Sequence, residues 1–446
     1  MKKSSIIVAL CISILGQICF AKKMDLDNVI KFSELDKTAT IAVSVKNAKT
    51  GLNEYEYNGN KLLHPASVLK VLTLAAALDT LGTDYKYETN IGIDENNNAY
   101  IKLSGDPSLT INQLKEAVNK LPKKDINNIY IDDKALDRYE WGIGWMWDDE
   151  TNPRMAKISP YNLNQNILNV QISPTAPKQQ AKITPLEQGA ATIINMINTG
   201  EKNTISIFRQ NSISPNVVYL YGTVKTPQII KIPIGNPERY FLTNLSLLLK
   251  GRNISHCPTT LNSYNKNIQT LHTISNDITT YYAEILQNSN NFYAETLFKT
   301  AGAIKENGQG TFLNSLKMFE SYYKKHGLNI EEIVLADGSG VSRNNLFSAN
   351  WISEALFKIQ KDKNFNIIKE SLAQPEIGTL SGRLPELKNN FYGKTGSLAN
   401  ISTIAGYLTD KNGEEHIVTI LISNFTGSNE KAIKLQDKII NEIYNK

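Results

Sequence analysis

The chain has 446 residues, 41% of them hydrophobic and 20% charged, and its formal net charge is +5. This length predicts two or three domains around a sizeable core, and the composition is that of an ordinary soluble globular protein. Because the basic excess is small and lysines alternate with acidic residues, no nucleic-acid partner is expected.

The first 21 residues have the pattern of a secretory signal peptide. Lys2 and Lys3 form a basic start, an apolar run covers 6–20, and Ala21 is a small residue that suits cleavage. An uncleaved membrane anchor is the alternative, which the shortness of the run disfavours. We therefore expect a protein exported to the periplasm, where peripheral membrane association stays compatible with the sequence. After cleavage Cys257 would be its one cysteine, so no internal disulfide is expected.

The first predicted elements are a β-hairpin and a helix. Alternating residues at 40–45 and 52–57 flank a turn at 47–51, which predicts two paired strands. The apolar stretch 67–81 follows Pro65 and stops at Gly82, which predicts a helix that begins near residue 67.

Residues 83–274 predict a mostly β insertion with two subdomains. Its short strand-like segments are separated by turns rich in Asn, Gly, Pro and Asp; the clearest segments are 91–93, 128–131, 217–224 and 228–234. Two stretches, 185–198 and 238–250, are predicted to be helices.

From residue 275 the pattern becomes helical and then returns to strands. Helices are predicted at 281–286, 292–304, 312–326, 348–360 and 430–444, and strands at 393–400, 401–410 and 416–423. The late strands and the early hairpin could share one antiparallel sheet, covered by the helices between them. Residues 22–82 and 275–446 are therefore expected to form one α+β domain, into which 83–274 is inserted.

Few types of active site remain open to this chain. The five histidines form no HExxH pair or Cys–His cluster, so neither a metal nor another cofactor is expected. Walker, GxGxxG and GxSxG motifs are absent from the sequence. A serine–lysine system is the chemistry that remains.

Ser67 and Lys70 are the candidate nucleophile and base. Residues three apart on a helix lie on one face, so an amine comes within reach of a hydroxyl. Spacing alone does not decide, because it recurs at Ser263/Lys266, Ser321/Lys324 and Ser428/Lys431. Only Ser67 opens a long apolar helix after Pro65 and Ala66.

Two further motifs follow in order. Ser289-Asn290-Asn291 comes after the predicted helix 281–286, and Lys394-Thr395-Gly396 lies on a late, edge-like strand. Ser342-Arg343-Asn344 competes for the middle position, within a loop that is expected to lie beside the site in a structural role. A second Lys-Thr-Gly at 49–51 suits a hairpin turn.

With these motifs the chain resembles the D-alanyl-D-alanine carboxypeptidase/endopeptidase family, the low-mass class C penicillin-binding proteins of peptidase family S13. The resemblance covers nearly all of the chain after residue 21; its stretches are 105–107, 145–149, 288–295, 337–343, 378–380 and 393–407. It implies an α+β fold of the penicillin-binding and β-lactamase-like transpeptidase type, with an antiparallel sheet covered by helices and a large, mostly β insertion.

The resemblance implies acyl transfer on peptidoglycan stem peptides, and binding of β-lactams. Ser67 would attack the carbonyl of the penultimate D-alanine, Lys70 would act as base, and water would hydrolyse the acyl-enzyme. Burial and the second cation, Lys394, would lower the pKa of Lys70. A β-lactamase-like hydrolase and a catalytically silent wall-binding protein are the alternatives.

The resemblance also implies roles for the other motif residues. Ser289 would relay a proton to the leaving amine, and Asn291 would hold a substrate amide. Lys394 and Thr395 would bind the terminal carboxylate, while Gly396 would let a backbone approach closely.

Two further implications concern the borders of the site. The backbone N–H groups of Ser67 and Ser397 would form an oxyanion hole. Asp149 would lie near the side-chain amine of the third stem residue. The sequence departs from the family at Arg154, where an aromatic residue would be expected.

Overall fold

The computed structural model describes residues 25–123, 126–187, 191–209, 216–252, 259–260 and 267–446. The expected signal peptide and Cys257 lie outside these residues. None of the described helices is both long and apolar enough to cross a membrane.

Strands dominate the middle of the chain and its two ends. Within the described ranges they are β1 (Thr40–Asn47), β2 (Asn53–Tyr57), β3 (Lys86–Ile93), β4 (Ala99–Lys102), β5 (Ile129–Asp132), β6 (Ile167–Ser173), β7 (Lys182–Pro185), β8 (Thr192–Thr199), β9 (Ser206–Arg209), β10 (Val217–Val224), β11 (Gln228–Pro233), β12 (Thr259–Thr260), β13 (Gln269–Asp277), β14 (Phe391–Leu398), β15 (Ile401–Thr409) and β16 (Glu415–Ser423).

Helices precede, interrupt and follow these strands. They are α1 (Leu26–Lys31), α2 (Leu69–Leu81), α3 (Ile111–Val118), α4 (Pro237–Leu248), α5 (Tyr281–Leu286), α6 (Asn291–Lys305), α7 (Phe312–Lys325), α8 (Ala349–Ile359), α9 (Phe365–Glu370) and α10 (Glu430–Tyr444).

One antiparallel sheet joins the two ends of the chain. Its strand order is β14-β15-β16-β1-β2, and β1 pairs with β16 from Thr40↔Ser423 to Asn47↔His416. Side chains alternate between its faces: Val43 packs in a cluster with α10, whereas Ala42 packs in a cluster with α2 and α8. Helices therefore cover both faces, which confirms the predicted α+β sheet.

The mostly β character of the insertion is also confirmed. Its described strands form three sheets, ordered β12-β5-β4-β3-β13, β11-β6-β7 and β8-β10-β9. Apolar side chains of these sheets and of α3 and α4 share one buried cluster. The domain boundaries at 83 and 274 stay a prediction.

The predicted helix at 185–198 is wrong. Residues 182–185 and 192–199 form β7 and β8, and β8 runs parallel to β10 from Thr192↔Val217 to Thr199↔Val224. The β-branched side chains of β8 suit a pleated strand, and pairing with distant β10 outweighs the weak local helical signal.

Helix α2 crosses the centre of the molecule. Ten consecutive residues, from Leu69 to Leu78, are buried, including Lys70 and Thr73. A helix that is apolar on every side needs packing partners all round, and α6, α7 and α8 supply them. The first turn of α2 therefore brings a lysine into the protein interior.

Candidate active site

Ser67 sits in a strained turn at the start of α2. The 3-10 turn Ala66–Val68 leads into the helix, and Ala66 has φ +44°, in the left-handed region that a residue with a Cβ rarely adopts. Thr403 on β15 donates a hydrogen bond to the Pro65 carbonyl at 2.8 Å. This hydrogen bond ties β15 to the backbone of the turn that carries the half-buried Ser67.

Two glycines from different elements pack closely against the backbone of this turn. A Cβ at Gly340, which has φ +81°, would lie 1.9 Å from the Ala66 carbonyl oxygen. A Cβ at Gly396 on β14 would lie 2.8 Å from the Ser67 backbone nitrogen. Only glycine permits these approaches, so the turn is held between the 337–345 loop and β14.

Lys70 makes three hydrogen bonds, one of them to Ser67. Its Nζ lies 2.9 Å from Ser67 Oγ, 2.6 Å from Asn291 Oδ1 and 2.6 Å from the Ser339 carbonyl oxygen. The amide and the carbonyl oxygens only accept, so a neutral amine must direct both of its hydrogens to them. Its lone pair then faces the Ser67 hydroxyl, which is the geometry of a base beside a nucleophile.

Burial and neighbouring charges set the protonation of the two lysines. Burial lowers the pKa of Lys70 to about 7; Asp337 and Glu295 oppose this shift, and Arg154 adds to it. Burial, followed by the charges of Lys70 and Arg154, lowers the pKa of Lys394 well below its usual range. Burial and Arg154, rather than the predicted Lys394, thus lower the pKa of Lys70, while between the two lysines the charge of Lys70 acts on Lys394.

Glu295 holds the backbone that contacts Lys70. Its Oε1 accepts hydrogen bonds from Gly338 N at 2.9 Å and Ser339 N at 2.7 Å. Burial and the charge of Asp337 raise the pKa of Glu295 to about 7. Sequence analysis missed this residue, although its position one turn after Asn291 on α6 was a signal that both share a face.

Asp337 organises the rest of that loop. Its carboxylate accepts hydrogen bonds from Gly340 N at 2.8 Å, Ser342 N at 2.7 Å and Trp145 Nε1 at 2.9 Å. A carboxylate that accepts several N–H groups fixes a tight loop strongly. The loop therefore orients the Ser339 carbonyl and ties residues 145–149, the tryptophan-rich segment, to the site.

The structure brings the second motif to Lys70 through Asn291. Ser289 has φ +57° just before α6, and its half-buried hydroxyl has no hydrogen-bond partner among the described residues. The rival Ser342 is buried, and its Oγ accepts a hydrogen bond from Asn344 N at 3.2 Å. Asn291 therefore contacts the lysine, whereas Ser342 stabilises its own loop.

The third motif lies on β14, an edge strand of the sheet. Lys394 is 0% exposed, and its Nζ donates to the Thr395 carbonyl at 2.8 Å. Thr395 is half-buried and its Oγ1 donates to Thr379 Oγ1 at 2.6 Å. Ser397 is exposed and accepts a hydrogen bond from Asn429 Nδ2. Thr395 is thus partly open to a ligand, whereas the side chain of Lys394 is enclosed.

The turn Pro153–Met155, which follows the tryptophan-rich segment, contributes Arg154 to the site. Asp149 lies in the 3-10 turn Trp147–Thr151, where its carboxylate accepts from Met146 N at 3.0 Å. The Arg154 carbonyl oxygen accepts from Asn291 Nδ2 at 3.0 Å, which orients the Asn291 carbonyl oxygen toward Lys70. Hydrogen bonding thus links Arg154 to the motifs, while the role of Asp149 stays a prediction.

Comparison with known proteins agrees with this architecture. Residues 22–442 match the family described as D-Ala-D-Ala carboxypeptidase 3 (S13). D-alanyl-D-alanine carboxypeptidase DacB of Haemophilus influenzae is 24% identical over 92% of each chain. The D-alanyl-D-alanine carboxypeptidase of Actinomadura sp. (strain R39) is 25% identical over 93% of this chain and 83% of the relative.

Two solved structures share the fold. Penicillin binding protein 4 (dacB) of Haemophilus influenzae superposes with a TM-score of 0.84 at 22% identity, covering 95% of this chain and 100% of that one. A predatory endopeptidase of Bdellovibrio bacteriovorus gives a TM-score of 0.53 at 14% identity, covering 91% and 92%. The predicted fold class is confirmed.

Proposed function

The chain belongs to the D-Ala-D-Ala carboxypeptidase 3 (S13) family, as its motifs indicated. We propose that it is a serine-type D-Ala-D-Ala carboxypeptidase that also works as a DD-endopeptidase on peptidoglycan stem peptides. The observation that carries this proposal is the contact between Lys70 Nζ and Ser67 Oγ at 2.9 Å, with two carbonyl-type acceptors on the same amine.

Acylation begins at Ser67. Its Oγ attacks the carbonyl carbon of the penultimate D-alanine while neutral Lys70 takes the hydroxyl proton. A base with a pKa near the working pH is efficient, because a large fraction is neutral and proton transfer remains favourable. The pKa of Lys70, about 7, satisfies this condition.

The oxyanion forms between the start of α2 and β14. The backbone N–H groups of Ser67 and Ser397 donate to it. The close approach of Gly396 to the Ser67 nitrogen supports this arrangement, since a larger residue would separate the two elements. When the tetrahedral intermediate collapses, the leaving amine of the substrate is expelled, and it receives its proton from Lys70 through Ser289.

The edge of β14 receives the substrate backbone. An edge strand has unpaired N–H and C=O groups to which an extended peptide can pair. Asn291 holds a substrate amide, and Thr395 contacts the terminal carboxylate. Lys394 is 0% exposed, and its donation to the Thr395 carbonyl holds Thr395 in place. Asp149 binds the side-chain amine of the third stem residue.

Hydrolysis completes the cycle. Water attacks the acyl-enzyme, and Lys70 serves again as base. Release of D-alanine is the carboxypeptidase reaction, and release of a cross-bridge amine is the endopeptidase reaction; both pass through one acyl-enzyme. The site also binds β-lactams, in keeping with the structure of Haemophilus influenzae penicillin binding protein 4 complexed with a β-lactam.

The proposed place of action is the periplasm. The basic start and apolar run of residues 1–21 support export. The similarity to relatives described as D-alanyl-D-alanine carboxypeptidases supports a substrate in the cell wall. Peripheral association with the membrane is part of the same proposal.

Intact-protein mass spectrometry after penicillin exposure tests the proposal. The wild type should gain one stable adduct, which digestion locates on Ser67, and it should release D-alanine from a pentapeptide muropeptide. Ser67→Ala should do neither. An adduct on another residue, or equal D-alanine release by both proteins, would overturn the assignment. Rapid loss of the adduct would instead favour a β-lactamase-like hydrolase.

A further inference from the structure

Arg154 carries an exposed positive charge beside two buried lysines. It belongs to the 3-10 turn Pro153–Met155, and its carbonyl oxygen is fixed 3.0 Å from Asn291 Nδ2. The side chain is exposed, whereas Lys70 and Lys394 are both 0% exposed. Asn291, which donates to the Arg154 carbonyl, also accepts from Lys70 Nζ at 2.6 Å, so Arg154 borders the site. Its charge acts on both lysines, whose pKa values it lowers.

Other basic side chains of the insertion form ion pairs. Arg138 pairs with Asp133 and with Glu238, the latter at 2.8 Å. Lys157 lies 3.4 Å from Glu140.

Arg209 is buried and lies 3.8 Å from Glu150. Arg154 forms no ion pair with any residue in the described part of the chain. A guanidinium that is exposed and unpaired keeps its five donors for a ligand.

The substrate of the proposed reaction brings an anion to this place. A peptide that ends in D-Ala-D-Ala has a terminal carboxylate, and some stem peptides have another on the side chain of the third residue. Lys394 is enclosed and bonded to the Thr395 carbonyl, so its ammonium is not open to a carboxylate. Arginine binds carboxylates through two parallel hydrogen bonds, which adds geometric selection to charge.

We propose that Arg154 binds a carboxylate of the stem peptide and thereby helps to determine which stem peptides the enzyme selects. This inference rests on the proposed function. Arg154 is a specificity residue that lies outside the proton-transfer steps. The terminal and the third-residue carboxylates share one chemistry, and the experiment separates them.

The test compares matched peptides in two arms. In one arm the third residue has a free or an amidated side-chain carboxylate; in the other the C-terminus is free or amidated. The kcat/KM for release of the terminal D-alanine, or of its amide, is measured for wild type, Arg154→Gln, Arg154→Lys and Arg239→Gln. Arg239 is an exposed arginine on α4 and serves as the matched control.

Arg154→Gln should lower kcat/KM about 10-fold to 100-fold on the peptide with the free carboxylate, the range of one charged hydrogen-bonded contact. Because the charge of Arg154 also lowers the pKa of Lys70, the variants are compared on the alkaline plateau of the rate, where Lys70 is neutral in all of them. There Arg154→Gln should match the wild type on the amidated partner of one arm, and that arm identifies the carboxylate. The kcat/KM of Arg154→Lys on the free peptide should lie between those of the wild type and Arg154→Gln, because lysine keeps the charge but cannot form two parallel hydrogen bonds. Arg239→Gln should match the wild type on every peptide.

An equal loss on free and amidated peptides in both arms, or no loss on any peptide, would overturn the inference. Failure of the proposed function looks different, because the wild type itself would then release no D-alanine from any peptide. Comparison of Arg154→Gln with Arg154→Lys keeps the test valid if one variant folds poorly.

Discussion

The carbonyl oxygen of Ser339 lies 2.6 Å from Lys70 Nζ, although the two residues are 269 positions apart in the chain. Together with Asn291 Oδ1 it occupies the two N–H groups of a neutral amine and leaves the lone pair facing Ser67. Residues far apart in sequence therefore decide the direction in which this base can act.

Acylation should depend on pH through Lys70. Because the pKa of its buried amine is about 7, the rate of penicillin acylation should rise through about pH 7 and level off above it. Below this pH the amine is protonated and cannot accept the Ser67 proton. A rate that instead rises near the ordinary lysine pKa, about 10.4, would contradict this role.

A lysine at position 70 should not be replaceable by arginine. Lys70→Arg keeps a cation that does not deprotonate near neutral pH. We expect acylation to fall roughly 10²-fold to 10⁴-fold, the contribution of a general base. Stopped-flow measurement with a fluorescent penicillin checks this, and thermal unfolding shows whether the variant is folded. Near-normal acylation by a folded variant would remove Lys70 from the mechanism.

Glu295 should act by holding the Ser339 backbone. Glu295→Gln keeps an oxygen that accepts from Gly338 N and Ser339 N, whereas Glu295→Ala leaves both N–H groups buried and unpaired, at about 1–3 kcal/mol of stability. Glu295→Ala should therefore lower both the acylation rate and the free energy of unfolding more than Glu295→Gln does.

The charge of Glu295 has a separate signature. It raises the pKa of Lys70, so Glu295→Gln should move the rise of the acylation rate to lower pH. Equal kinetics for both variants would show that the hydrogen bonds are unimportant. An unmoved pH profile in the glutamine variant would argue against charge coupling.

Gly340 should be essential for the turn that carries Ser67. Gly340→Ala would place a Cβ 1.9 Å from the Ala66 carbonyl oxygen, so we expect loss of the penicillin adduct and a lower unfolding free energy. Gly413→Ala is the matched control, because Gly413 has φ +80° and nothing within 4 Å of its Cβ position.

Both alanine variants should lose about 1–2 kcal/mol to the left-handed backbone. Overpacking should cost Gly340→Ala about 1–3 kcal/mol more. Urea unfolding and adduct formation measure the two effects. Identical losses in both variants would contradict a steric role for Gly340.

His416 should make stability depend on pH. The buried ring lies 2.5 Å from Glu54 Oε2 and 3.2 Å from Asp410 Oδ2. Burial lowers its pKa, but the hydrogen bonds and charges of these carboxylates outweigh burial, so the net shift is upward. The pKa of Glu54 is lowered to about 2, which keeps it charged.

A raised pKa means that the protonated ring stabilises the fold below about pH 6.5, the unfolded value, and that this stability is lost as pH rises through the folded pKa. The difference in unfolding free energy between wild type and His416→Gln should therefore shrink as the pH rises above about 6.5. A difference that does not change with pH would contradict a charged His416.

Much of the fold could be predicted from local pattern. Alternation marks β10 and the late strands, and helical periodicity marks α5 and α10, because both signals arise from neighbours in sequence. The prediction of a helix at 185–198 was wrong because β8 pairs with β10, and a pairing between distant segments leaves no signal in the local sequence pattern.

The sequence by itself determined that Ser67 and Lys70 share a helical face, since a three-residue spacing and the helical repeat suffice for that. It also determined the order of the three motifs and the family to which they belong. Tertiary structure alone decided that Asn291 rather than Asn344 contacts Lys70 and that Ser339 is its third partner. It also decided that Arg154 lies beside the site. Long-range packing determines burial, and burial lowers the pKa of the lysine.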